Sequence, residues 1–191
     1  MRQFSLSKNL VQSTCSLLLV LFSFACENDL KNNEKIVLGE NFPESVYYNF
    51  KINYSDSGYA TSQITGDTLK QYEAKDFKPA HDLMTGNVHL ILYRADGSVK
   101  SQMKADKAIR YREEGDLHAF NNIVVFNEIG EKLNTEQIIW YEKTGKIKAP
   151  VPVKITKKDQ ILYGDSMISD QYFLNYTLSN PRGEFIINGQ E

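Results

Sequence analysis

The sequence predicts an all-β protein of stacked antiparallel strands, and three observations carry that expectation. From Asn41 onward Tyr, Phe, Ile and Val dominate, interrupted by turns at Asp96-Gly97, Glu114-Gly115, Gly130 and Thr144-Gly145. Spacing of that kind suits antiparallel strands joined by tight turns. Apolar residues recur at even spacing, as in Leu117, Ala119, Ile123 and Val125, and again in Ile147, Ala149, Val151, Val153 and Ile155. Period two marks a strand with one buried face and excludes an amphipathic helix. Finally, "MKADKAIRY" at 103–111 returns as "LNTEQIIWY" at 133–141 with the same residue classes in the same slots.

The chain is taken from its beginning. Arg2 and Lys8 precede the apolar run Leu17–Ala25, and Cys26 follows at once. A basic start, a short apolar core and a small residue before the cut site form a signal peptide over residues 1–25. The run is too short for a membrane span, which needs about 20 residues. "SFAC" resembles a bacterial lipoprotein cleavage box, with Ser23 where the usual pattern has Leu, so Cys26 is the expected lipidation site. Cys15 would leave with the signal peptide. An acylated Cys26 leaves no thiol for a disulfide or a thiolate metal site.

Processing removes two of the 22 basic residues and none of the 24 acidic ones, so the mature chain carries a net charge of −4. That balance offers no basic field for nucleic acid. Residues 26–40 are polar apart from one small apolar cluster and read as a flexible tether. Residues 41–191 are enough for one domain.

Within that domain the repeat sets the architecture. A shift of 30 residues places Met103 on Leu133, Ala105 on Thr135, Asp106 on Glu136, Ile109 on Ile139 and Tyr111 on Tyr141 without a gap. The match continues through Gly115 on Gly145, Leu117 on Ile147, Ile123 on Val153 and Val125 on Ile155. Looser copies stand at "ITGDTLKQY" (64–72) and "LYGDSMISD" (162–170), so the acids Asp67, Asp106, Glu136 and Asp165 follow one another by 39, 30 and 29 residues. A two-strand unit cannot cover its own apolar face, so the units stack around a shared interior. Pro150 and Pro152 remove two backbone donors and place their strand at an edge, bulge or corner. The last apolar run, "GEFIING" at 183–189, has no following strand to cover it, and Phe185, Ile186 and Ile187 are candidates for an edge that a partner pairs.

"KADKAIRY" with a Gly turn, the strand "NNIVVFN", and Gly130, Leu133, Thr135, Ile138 and Trp140 in the pattern G-x-x-L-x-T-x-x-I-x-W resemble the LptC family over about residues 43–188. The resemblance implies an open, twisted β-jellyroll of the OstA/LptC type, with lipid acyl chains carried between two sheets. It also implies partners: lipopolysaccharide, the subunits of an inner-membrane lipopolysaccharide ABC transporter, and a periplasmic LptA-like jellyroll. The location it implies is the periplasmic face of the inner membrane. The chain departs from many members in having a lipoprotein signal instead of a membrane helix. Residues expected to line the lipid groove are Met103, Ala105, Ile109, Leu117, Ile123, Val125, Leu133, Ile139, Ile147, Val153 and Ile155.

Acyl chains need no catalytic group and gain about 0.8 kcal/mol per buried methylene. The competing expectation is an adaptor lipoprotein with a dry core that docks envelope proteins through its sheet edges. An enzyme is not expected, nor a cofactor. "GDSM" at 164–167 resembles the nucleophile motif of a lipase family, but the last histidine is His118, upstream of it. The repeat also puts Lys107 and Gln137 in the Ser166 slot. His81, His89 and His118 lack the spacing of a zinc site. The recurring acids are too sparse for calcium and read as strand-end carboxylates accepting turn amides. Arg110-Tyr111-Arg112 reads as alternating charge on an outer strand face. Asp67-Thr68-Leu69 and Asp165-Ser166-Met167 resemble an O-glycan acceptor sequence.

Overall fold

A computed structural model of the chain describes residues 42–75 and 77–185. They form twelve strands in one antiparallel sheet. The six long strands are β1 (Ser45–Asp56), β2 (Tyr59–Tyr72), β3 (His81–Tyr93), β4 (Val99–Tyr111), β5 (Leu117–Asn127) and β6 (Lys132–Tyr141). Six short ones follow: β7 (Lys146–Ala149), β8 (Val153–Thr156), β9 (Gln160–Gly164), β10 (Ser166–Asp170), β11 (Tyr176–Ser179) and β12 (Arg182–Phe185). The long strands are hairpin-connected neighbours, and the expected turn glycines Gly97, Gly115, Gly130 and Gly145 take φ from 59° to 81°. Only a residue without a Cβ reaches that region at no cost.

One crease runs across the whole sheet. The register slips at matching places in the pairs β2–β3, β3–β4, β4–β5 and β5–β6, near Thr65/Thr68, Thr85/Val88, Lys104/Lys107 and Phe120/Ile123. Extra residues of this kind bend a strand and increase its twist. Beyond β6 the strands stop at the crease: Pro150-Val151-Pro152 separates β7 from β8, Asp165 separates β9 from β10, and Asn180-Pro181 separates β11 from β12. The prolines therefore stand at a corner, where β6 pairs with β7 on one side and with β8 on the other. Thr135 donates its hydroxyl to the Pro152 carbonyl at 2.9 Å there.

The crease divides the sheet into two half-sheets. The first runs through one end of each of β1–β6 and then β7, β10 and β11; the second runs through the other ends and then β8, β9 and β12. Their facing sides share one core cluster that includes Ile64, Met84, Val88, Leu117, Ile123, Leu133, Ile138, Ile155 and Met167. This is the stack of antiparallel strands the periodicity and the repeat predict, in the jellyroll form the family resemblance implies.

Small residues let the half-sheets meet at the crease. A Cβ on Gly66 would lie 2.7 Å from Cε1 of Phe50, and one on Gly164 would lie 3.1 Å from Cβ of Leu178. On the outside a ladder of side chains fixes the bend. Asn87 donates to Asp67 at 2.9 Å, Asn122 donates its side-chain amide to Asp106 at 2.6 Å and its backbone N–H to Glu136 at 3.1 Å, and Asn180 donates to Asp165 at 2.8 Å. The donors sit at positive φ, 48° for Asn87, 51° for Asn122 and 47° for Asn180. Asparagine tolerates that region better than other side chains. The Asn180 amide, with Arg182 beside it, holds the Asp165 carboxyl below its ordinary range. The acids expected at strand ends thus stand at the crease, in mid-strand for Asp67, Asp106 and Glu136; Asp67, Asp106 and Asp165 take asparagine side-chain amides as partners and Glu136 a backbone amide. They recur because every layer must bend at the same height.

Candidate apolar trough

The candidate site is the space between the half-sheets. Nine of the expected groove residues, Met103, Ala105, Leu117, Ile123, Val125, Leu133, Ile147, Val153 and Ile155, are buried on its walls. Ile109 and Ile139 are not: both are half-buried on the outer face, and Ala108 and Ile138 are buried in their place. The crease is the reason. In β2, β4 and β6 the buried residues on either side of it stand an odd number apart, Ile64 to Leu69, Ala105 to Ala108 and Thr135 to Ile138. A strict alternation counted through the bend assigns everything beyond it to the wrong face.

The same inversion relocates the arginines. Arg110 pairs with the buried Leu117 and Asp82 in its neighbouring strands, and cross-strand partners share a face. It therefore lies on the inner side, at the rim, and not on the outer face. Its guanidinium stacks 5.0 Å from the ring centre of Tyr54, on the opposite half-sheet, and bonds Glu142 at 3.0 Å. Burial raises the Tyr54 phenol above its ordinary range, the nearby Arg110 offsetting part of that rise. Arg112 bonds Glu73 at 2.7 Å and Asp82 at 3.0 Å, and these acids, Glu73 first, hold its pKa above the ordinary value. Tyr111 faces outward, edge-on to His118.

The trough is filled by its own side chains at its centre. A cavity of only about 20 Å³ remains among Leu90, Leu92, Met103, Val125, Ile138 and Trp140. A wider one, about 230 Å³, opens at the mouth between Tyr54, Ser62 and Leu92 on one side and Trp140 and Glu142 on the other. The indole N–H of Trp140 is buried without a partner. At the β1 end, Tyr47 pairs with buried Leu69 but is 49% exposed, so the inner face is uncovered there.

A strap closes part of the mouth, and the sequence reading did not find it. Residues Gln171–Asn175 leave β10 on the first half-sheet and reach the second. The Asp170 carboxylate organises them, accepting the backbone N–H groups of Tyr172, Leu174 and Asn175 at 2.9, 3.2 and 2.8 Å. Burial alone would raise the Asp170 carboxyl, but bonds from the Asn175 side chain and these N–H groups outweigh it and hold the group below its usual range. The signal was there to read: an aromatic pair between Asp170 and Asn175, two residues that close short loops.

The other expected features fall as follows. Cys26, Ile186 and Ile187 lie outside the described residues, as do the segments expected to be the signal peptide and the tether. The backbone of Phe185 ends β12 by pairing with Gln160, and β12 pairs only with β9. Asp165, beside Ser166, accepts bonds from Asn180 and Arg182, and Thr68 and Ser166 are both half-buried. His89 contacts Gln102 at 3.0 Å and His81 contacts the Pro79 carbonyl at 2.9 Å. Among the described residues no three His, Cys, Asp or Glu side chains come together to hold a metal, and no helix is long and apolar enough to cross a membrane.

No curated protein matches the chain. A family model described as lipopolysaccharide-assembly, LptC-related, matches residues 10–170, which include β1–β10 and the walls of the trough. With a creased, open jellyroll and an apolar interior in the matched region, the chain belongs to the LptC-related family of lipopolysaccharide-assembly proteins, and so to lipopolysaccharide transport.

Proposed function

We propose that the chain is a non-enzymatic carrier, anchored through Cys26 at the periplasmic face of the inner membrane. It accepts lipopolysaccharide from an inner-membrane ABC transporter and passes it to a periplasmic LptA-like jellyroll. The observation that supports this reading most is the apolar lining itself, contributed by every layer from β1 to β10 and running from one end strand of the sheet toward the other. Acyl chains laid along such a wall are held by burial alone, at about 25 cal/mol per Å² of apolar surface. The acidic balance of the mature chain suits a trough that holds tails and leaves an anionic head group in solvent. The second reading, an adaptor with a dry interior, draws on the small size of the central cavity, about 20 Å³. Purified lipopolysaccharide added to proteoliposomes that hold the transporter and the chain distinguishes them: the carrier reading expects ATP-dependent adducts with the chain, and the adaptor reading expects none.

Hand-over requires an unpaired edge. In the described residues β12 is the last strand of its half-sheet, and strand addition by a partner would supply main-chain hydrogen bonds there. Replacing Ile187 by Pro removes one backbone donor from the apolar run that follows β12 in the sequence. The expected result is binding of the soluble jellyroll partner weakened by about tenfold or more, with an unchanged circular dichroism spectrum. An unfolded variant would make the strand internal, and normal binding by a folded one would put the hand-over edge elsewhere.

A further inference from the structure

Phe173 is out of character for a loop residue. It is fully buried, belongs to the core cluster, and takes φ of 57°. A bulky side chain in the left-handed region is strained, and such strain persists only where the surroundings hold it in place. Here they do so from both half-sheets. From the second, Asn127 donates its amide to the Phe173 carbonyl at 2.7 Å, and Lys100 lies 3.5 Å from the centre of the Tyr172 ring. Asn127 and Glu131 are both buried and bonded to each other, and Lys157 pairs with Glu131 at 2.9 Å. From the first, Gln171 donates its N–H to the Gly145 carbonyl at 2.9 Å, and Tyr176 stacks on Phe173 at 5.3 Å. Gln171 also lines the small cavity between the half-sheets, and both Gln171 and Tyr172 line the wider one at the mouth.

We propose that Phe173 is an intramolecular occupant of an acyl-chain site at the mouth of the trough, and that a lipid chain entering the trough expels it. This rests on the carrier reading above. An aromatic ring and a stretch of hydrocarbon place the same demand on the wall, apolar contact without a directional partner, so one substitutes for the other. The strained backbone offsets part of what burial of the ring contributes, which brings the seated and expelled states closer in free energy. Asn127 and Lys100 act as the latch. Because they grip the strap by one hydrogen bond and one cation–ring contact, releasing it leaves the strands themselves paired. A filled centre and a lipid-carrying trough are then two states of one protein.

The test is a titration of the full chain with a fluorescent fatty acid, with purified lipopolysaccharide as competitor. Lys100→Cys together with Tyr172→Cys, joined by a short bismaleimide, ties the strap down; the wild-type chain treated with the same reagent is the control. A closed state populated about ten to one over the open one reduces apparent affinity by about that factor. The wild-type chain is therefore expected to bind, Phe173→Ala to bind about tenfold tighter, and the tied chain to lose binding that returns when the reagent is omitted. If Phe173→Ala does not fold, Asn127→Ala takes its place with the same expected shift, since it frees the latch without emptying the core. Equal binding by tied and untied chains overturns the strap while leaving the carrier reading intact. Absence of binding in every chain, untied included, overturns both.

Discussion

Ile138→Asp is expected to unfold the domain, while Ile139→Asp, one residue on, is expected to leave it folded. Ile138 is 1% exposed on the inner wall of β6, where a carboxylate has neither water nor a partner. Stranding a charge in such a place costs more than about 4 kcal/mol. That is a large share of the 5–15 kcal/mol by which domains of this kind are stable, so little folded protein should remain at 37 °C. Ile139 is half-buried on the outer face, where a carboxylate stays hydrated and the change should lie within about 1 kcal/mol. Urea unfolding followed by circular dichroism measures both. The reverse order would mean that β6 alternates without interruption through Glu136 and that the crease is misplaced.

The second large effect concerns the anchor. Cys26→Ser is expected to abolish incorporation of a fatty-acid analogue in growing cells and to leave an unprocessed or soluble protein. An acyl chain on Cys26 would contribute about 0.8 kcal/mol per buried methylene to membrane attachment, and the Ser variant has no thiol at that position to carry one. Label retained by the Ser variant, or absent from the wild-type chain, would remove the lipoprotein from the account. Since a tether sets local concentration and nothing more, a heterologous membrane helix in place of residues 1–26 is expected to preserve transport.

Much of this architecture is legible in the sequence, for reasons that also mark where legibility stops. Alternation reports which side of a strand is buried, and Leu117, Ala119, Ile147 and Ala149 report it without error because each pair lies on one side of the crease. The 30-residue repeat reports that layers stack. Neither signal contains the bend. Ile109 and Ile139 are assigned to the wrong face because, at the crease, two residues of β3 stand against Asp106 alone and two of β5 against Glu136 alone, and Asp106-Lys107 and Glu136-Gln137 are successive residues outside the core, which shifts the alternation of β4 and β6 by one. A clue does stand beside each acid: Gly66, Ala105, Thr135 and Gly164 precede the four carboxylates, and Leu69, Ala108, Ile138 and Met167 follow two positions after them. A small residue, an acid and then a buried residue three places from the small one is the footprint of a strand that crosses the crease. Phe173 is harder to foresee, since its burial depends on Asn127 and Lys100, far away in the chain and brought near only by the fold.

The measurement that bears most directly on the carrier reading is site-specific photo-crosslinking in proteoliposomes that hold the transporter, lipopolysaccharide and ATP. A photo-reactive residue at Ile123, Ile138 or Val153 faces the trough, and one at Lys104, Ile139 or Lys154 faces away from it. The account predicts lipopolysaccharide adducts from the first three positions, dependent on ATP, and none from the second three. Equal yields from Ile138 and Ile139 would contradict it, because adjacent residues on opposite faces of one strand can label alike only if the lipid never enters the trough.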